Sequence, residues 1–236
     1  MNNNLETLNI LKNPPLEGIL LVDKPIGNTS FSLIAILRKI TGVKKIGHAG
    51  TLDPFASGVM VILIGKNYTR KSAQFLMQDK EYRTLLRLGI STDSFDCKGT
   101  TTSHSDKIPT LEEVEKSLKY FQGKIDQTPP MFSAKKVKGK KLYELARKGI
   151  TIERTPVAIH VTTTLISYQY PLLELHITCS KGTYVRSIGH DIGQLLGCGA
   201  HLQELVRLRS GPFHLSDCLS ITEITQNIDN LPLIIA

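Results

Sequence analysis

The sequence predicts an α+β fold. Three observations carry it. Apolar runs of strand length and amphipathic segments of helix length are interspersed, they follow no regular strand–helix–strand rhythm, and two strand-like runs sit next to each other across a short turn. The elements follow in order. "GILLVD" (Gly18 to Asp23) reads as a short buried strand that ends in the turn "KPIG". Asn28 or Thr29 caps a helix through Lys39, with Leu33, Ile34, Leu37 and Ile40 on one face and Gly42 as its stop. "VMVILIG" is too continuously apolar to be half exposed and belongs centrally in a sheet. A helix from about Tyr68 to Met77 leads into "EYRTLLRLGI", a strand. The polar, turn-rich stretch from Ser91 to Lys107 reads as a surface loop. Thr110 with Glu113 is a capping-box pattern that opens a helix to about Phe121. "TPPMFSAKKVKGKKLYELARKG" reads as strand, turn and short helix, stopped by Gly149. Val157 to Ser167 and Leu172 to Cys179 pair around "YQYP". Thr183 caps a helix from Tyr184 to Leu196 that Gly197 closes, and Ser220 with Glu223 caps a last short helix.

The 236 residues suffice for one large domain or two small ones with a real core. No apolar run is long enough to span a bilayer. The Asn-rich start, Met1 to Leu11, lacks the basic and apolar regions of a secretory signal. Cys97, Cys179, Cys198 and Cys218 form no CxxC pair, which argues against a zinc site or a disulfide framework and fits a reducing cytoplasm. The formal net charge is +8. Much of it is local. Between Met131 and Arg154 stand Lys135, Lys136, Lys138, Lys140, Lys141, Arg147, Lys148 and Arg154, opposed only by Glu144 and Glu153. Such an excess suits a phosphate backbone, and the segment lacks the broad apolar face that a membrane surface requires.

One loop stands out for chemistry, "GHAGTLDPFASG" (Gly47 to Gly58). The proline after Asp53 pushes that residue towards an extended conformation, as in many ordinary turns. Here, however, Gly47, Gly50 and Gly58 allow close approach of a ligand, and the loop feeds a core strand. Asp53 is therefore expected at the edge of a partly dry cavity, where a carboxylate needs a cationic partner. Arg186, in the first turn of a helix after a strand and a glycine turn, is the candidate partner; an exposed helix arginine is the even alternative. His48, Tyr82 and Tyr184 are candidates for stacking on a base, in a chain without tryptophan, although core packing is the default for isolated tyrosines. A metal site built from His48, Asp53, His190 and Asp191 matches no zinc spacing and is disfavoured. No phosphate-binding glycine loop and no nucleophilic serine or cysteine motif occurs.

Five blocks then carry a resemblance. "GHAGTLDPFASGVMVILIG", "LVDKPIGNTS", "DKEYRT", "PPMFSAKKVKGKKLYELARKG" and "CSKGTYVRSIGHDIGQLLGCGAHLQELVRLRSGPF" resemble the tRNA pseudouridine synthases of the TruB type, over about Gly18 to Phe213. The resemblance implies a pseudouridine synthase fold: a central mixed, mostly antiparallel sheet flanked by helices, with an RNA-contacting insertion at about 128–154. It implies a catalytic domain over 18–220, an extension over 1–17, and a short tail over 221–236 in place of a separate C-terminal RNA-binding domain. The implied activity is isomerisation of uridine 55 in the tRNA T-loop, by base flipping. Carried over by motif, Asp53 is the nucleophile, His48 fills the space left by the flipped nucleotide, Tyr82 stacks on the uracil, Arg186 pairs with Asp53, and Tyr184 and Leu205 line the pocket. Lys24 and Pro25 take a supporting role. No cofactor and no metal are expected. The expected partner is the tRNA T-arm stem-loop, bound by a monomer in the cytoplasm. Val206 stands where the family usually has the first arginine of a Leu-Arg-Arg run, so one phosphate or structural contact is either missing or supplied by Arg207 and Arg209. A non-catalytic tRNA-binding or folding protein on the same scaffold is the alternative. The point of attack by Asp53 and the general base stay open.

Overall fold

A computed structural model describes residues 16–137 and 139–235, with the side chain of Asp229 left out. The expected extension therefore falls almost wholly outside the described residues. In chain order the elements are β1 (Gly18–Lys24), α1 (Ser30–Thr41), β2 (Ile46–His48), β3 (Ser57–Ile64), α2 (Lys66–Arg70), α3 (Ser72–Leu76), β4 (Lys80–Leu88), β5 (Ile90–Thr92), β6 (Thr101–His104), α4 (Leu111–Leu118), β7 (Gln122–Gln127), β8 (Lys136–Val137), β9 (Lys140–Lys141), α5 (Leu142–Ala146), β10 (Val157–Gln169), β11 (Leu172–Cys179), α6 (Val185–Leu196), β12 (Ala200–Ser210), β13 (Phe213–His214) and α7 (Ile221–Gln226). The main sheet runs β1-β3-β12-β4-β11-β10-β7, with β2 against β3 and β13 against β12. Every pairing in it is antiparallel except β3 with β12, where Val206 meets Ser57 and Arg207 meets Gly58. The predicted α+β class, a mixed and mostly antiparallel sheet flanked by helices, is the observed one.

Burial explains the continuous apolar run of β3. One face, with Met60, Ile62 and Ile64, packs with β1 beneath Leu33, Ile34 and Leu37 of α1 and Ile224 of α7. The other, with Val59, Val61 and Leu63, packs on Ala49 and Tyr68. A strand covered on both faces has no position for alternation. β4 is the contrast: Lys80, Tyr82, Thr84, Leu86 and Leu88 point in, while Arg83 and Arg87 point out to solvent. The inward residues join β10, β11 and β12 under α4 and α6, where Val114, Leu118, Ile188, Ile192 and Leu196 complete the larger core. Gly193 lets α6 lie directly on the turn before β12, since a Cβ there would stand 2.2 Å from the Ala200 nitrogen.

Several boundaries obey the local chemistry read from the sequence. The Thr29 hydroxyl accepts from the Ser32 amide and Gly42 ends α1 in the left-handed region. Both capping boxes, at Thr110 and Ser220, form. Three expectations are corrected. The helix over 68–77 is two short helices, α2 and α3, broken at Lys71. Thr183 does not cap α6; its hydroxyl donates to the Ser180 carbonyl and Tyr184 takes the cap position without a side-chain bond. The stretch from Ser91 to Lys107 is no plain surface loop: β5 and β6 form a hairpin, and Ser91, Thr92, Ser94 and Asp96 are buried.

Candidate active site

The loop 49–56 is tied down on every side. The Ala49 amide donates to the Val61 carbonyl, and the Gly27 amide donates to the Pro54 carbonyl at 2.7 Å. At the N-terminus of α1, the buried Ser30 hydroxyl accepts from the Leu52 amide at 3.1 Å and donates to the Leu52 carbonyl at 3.2 Å. The Ala56 amide closes the Asp-Pro turn on the Asp53 carbonyl. Lys24, 0 % exposed, adds a brace from below, donating its ammonium to the Pro25 and Asn28 carbonyls at 2.9 and 2.8 Å. The "KPIG" turn and the Asp53 loop thus form one rigid ledge.

Arg186 meets Asp53 across 133 residues of sequence. Its Nε donates to Asp53 Oδ2 at 2.7 Å and its Nη2 to Oδ1 at 3.3 Å, a two-point contact. Nη1 donates to the Ser94 carbonyl at 2.9 Å and Nη2 to the Phe132 carbonyl at 2.8 Å, with the Asp96 carboxylate 3.8 Å from Nη1. The Arg186 side chain is 6 % exposed and that of Asp53 35 %, so the cation is sealed in while the carboxylate keeps an open side. That open side faces a cleft of about 1040 Å³. His48, Tyr82, Tyr184 and Leu205 line the same cleft, so all six residues singled out from the sequence are brought together. Gln127 fixes Tyr184 by bonding both its amide and its carbonyl. Phe31 on α1 stands edge-on to the His48 ring, with centroids 6.2 Å apart.

Sequence reasoning missed the far wall. Ser94 and Asp96 looked like turn residues, yet they anchor Arg186; the Asp93–Asp96 spacing inside a polar stretch was the available signal. Asp96 is itself held by the Ser94 hydroxyl and the Lys98 amide. Phe95 between them adopts φ +64° and stacks on His190, centroids 3.9 Å apart. A left-handed conformation costs a non-glycine residue about 1 kcal/mol, which the stacking helps offset. His190 therefore braces this loop. Among the described residues, no three His, Cys, Asp or Glu side chains are grouped to hold a metal ion.

Comparison with known proteins decides the family. The sequence profile for the TruB family pseudouridylate synthase N-terminal domain matches residues 38–185, and that for the tRNA pseudouridylate synthase B C-terminal domain matches 186–230. The chain belongs to the TruB family. A tRNA pseudouridine synthase B of Protochlamydia amoebophila (strain UWE25) is 62% identical over 216 residues, covering 91% of this chain and 82% of that protein. One from Chlamydia abortus (strain DSM 27085 / S26/3) is 61% identical over 203 residues, covering 86% of each. A chain in the crystal structure of a Cbf5–Nop10–Gar1 complex superposes with a TM-score of 0.71 at 29% identity, over 89% of this chain and 54% of that one. As a TruB-family member the chain is an isomerase, and the cleft is its candidate active site. The two profile matches meet at Asp53's own partner, between Val185 and Arg186, so the ion pair joins them.

The electrostatics of this TruB-family cleft favour neutral rings beside a charged pair. Burial raises the Tyr82 phenol above its ordinary value, against the opposing charge of Arg207. Burial, reinforced by Arg207, lowers the His48 imidazole below its ordinary 6.5. The sign for stability follows. Below about pH 6.5 the unfolded chain protonates this histidine while the folded protein resists, so stability falls as the pH drops from 6.5 towards the folded-state value. His190 is lowered by burial too, and the difference between two proteins isolates His48. His48→Gln is expected to flatten that decline, measured as urea midpoints from pH 7.5 to 5. Parallel curves would remove His48 as a cause.

Proposed function

We propose that the chain isomerises uridine 55 in the T-loop of tRNA to pseudouridine, with Asp53 as nucleophile and the target base flipped into the cleft. The two-point Asp53–Arg186 pair carries this reading. It holds a carboxylate in a fixed direction, with an open oxygen side turned to a cavity that also presents Tyr82, Tyr184 and Leu205. The reaction breaks the C1′–N1 bond and forms C1′–C5; C5 loses a proton and N1 gains one, so atoms and electrons balance within the nucleotide. A base inside a stacked loop is out of reach of a group in such a ledge, and extrusion costs a few kcal/mol. Stacking on Tyr82 and filling of the vacated space by His48 would offset part of that cost.

The basic hairpin β8–β9 and α5 would hold the RNA backbone. Lys141 and Arg147 line the cleft and flank the Tyr143 ring at 5.4 and 5.2 Å. Arg147→Gln is expected to weaken binding of a T-arm stem-loop. It should also reduce the magnitude of the slope of log K against log salt by about 1, read by fluorescence anisotropy across a salt series. An unchanged slope would take Arg147 off the phosphates. With four free cysteines, the proposed setting is the reducing cytoplasm.

The deciding experiment is incubation of the protein with a T-arm stem-loop and detection of pseudouridine by carbodiimide labelling. Product at the position equivalent to 55 supports the reading. Tight binding and refolding of tRNA without product would replace it with a non-catalytic tRNA-folding role.

A further inference from the structure

Among the described residues Arg207 is the largest fully buried side chain, at 1 % exposure, and the reaction as described does not use it. It lies on β12 at the parallel contact with β3, and its fork spans two elements. Nε donates to the Val59 carbonyl at 2.7 Å, while Nη1 and Nη2 donate to the Thr51 and Gly50 carbonyls at 3.3 and 3.2 Å. Val59 belongs to the core strand; Gly50 and Thr51 are the third and second residues before Asp53. No carboxylate within 4 Å partners this guanidinium among the described residues. Besides the carbonyls, the guanidinium shares a side-chain hydrogen bond with the buried Tyr82 phenol, and a buried cation held by neutral oxygens alone is a costly way to stabilise a core. Its acceptors show what the cost obtains: three carbonyls that sit where the strand gives way to the loop. The backbone around it is shaped for the contact. Gly58, at φ +103°, lies so close that a Cβ would meet the Arg207 carbonyl oxygen at 2.3 Å, and Gly50 is at φ +105°.

We infer that Arg207 is a positioning residue for the reaction: its guanidinium fixes the loop segment Gly50–Thr51 against β3, and so sets the direction from which the Asp53 carboxylate faces the substrate. Ser30 grips the next residue, Leu52, from the opposite side. Residues 50, 51 and 52 are therefore clamped in succession, and Asp53 is the first residue beyond the clamp. Arg186 orients the carboxylate from the far wall; Arg207 determines where the main chain delivers it. Neither role substitutes for the other, because a misplacement of about 1 Å costs on the order of 10²-fold in rate.

The inference rests on the proposed isomerase reading. Arg207→Lys is the informative variant. It keeps the charge and most of the buried stem, but a single ammonium cannot span Val59 and the loop carbonyls with a planar fork. Pseudouridine formation on a T-arm stem-loop is measured for both proteins, normalised to the folded fraction from circular dichroism, together with stem-loop affinity. The expected result is a kcat lowered by roughly 10- to 100-fold, with KM and stem-loop affinity within about twofold of wild type. A purely structural role would instead lower the folded fraction and leave kcat per folded molecule unchanged. That outcome, a wild-type kcat, or a variant that does not fold at all would overturn the inference. Wild-type protein that forms no pseudouridine fails the isomerase reading itself, which the same assay shows separately.

Discussion

Asp53→Asn forms no detectable pseudouridine on a T-arm stem-loop, a fall of about 10³-fold or more, while binding the same RNA within a few-fold of wild type. The amide is isosteric and retains an oxygen for one Arg186 bond, so the ledge made by "KPIG", Ser30 and the Asp-Pro turn stays in place. What it lacks is a nucleophilic oxygen. Rate and affinity are read on one RNA, by carbodiimide labelling and by anisotropy. Appreciable turnover by the variant would sink the nucleophile assignment. Loss of binding in step with rate would place Asp53 in recognition instead.

Arg186→Met is expected to combine a loss of activity with a loss of stability. Four hydrogen bonds donated by the guanidinium disappear, two to the Asp53 carboxylate and one each to the Ser94 and Phe132 carbonyls. Breaking a fully buried pair costs about 3–5 kcal/mol; Asp53 is 35 % exposed and can rehydrate, so about 2 kcal/mol is the better expectation here. For a chain of this size that corresponds to a melting temperature lower by roughly 4–8 °C. Activity should fall by about 10²-fold or more, because the carboxylate loses its fixed direction. A variant that melts like wild type would mean that the walls hold without the arginine.

The fold was legible wherever one physical signal dominated. α1 has a cap, an apolar face and a glycine stop, and β4 alternates cleanly enough to turn Tyr82 inwards. The Asp53 loop showed itself through its proline and glycines, because backbone that must approach a ligand has few other options. Two things stayed hidden for the same reason: polar residues that are buried once they find partners. β12 reads as "AHLQELVRLRS", whose charges suggest a solvent face, yet Arg207 and His201 lie inside it on carbonyl acceptors. Ser94 and Asp96 look like turn chemistry and became the far wall only because Arg186 reaches them from 92 residues away. Satisfaction over such distances leaves no periodicity to read.

β12 also governs the order in which the molecule can be assembled. Its residues are among the last of the core to leave the ribosome, yet the strand lies between β3 and β4 near the middle of the sheet. Without it the sheet would fall into β1–β3 with β2 on one side and β4–β11–β10–β7 on the other, and β4 would show along its length an open ladder edge of the kind that seeds mispairing. The same strand covers the β4 edge and carries Arg207 into the strand–loop junction, beneath a loop that lies some 150 residues earlier in the chain. Placement of the catalytic loop and protection of the β4 edge therefore depend on one strand drawn from late in the chain. Pairing over so long a stretch of sequence makes folding slow by nature.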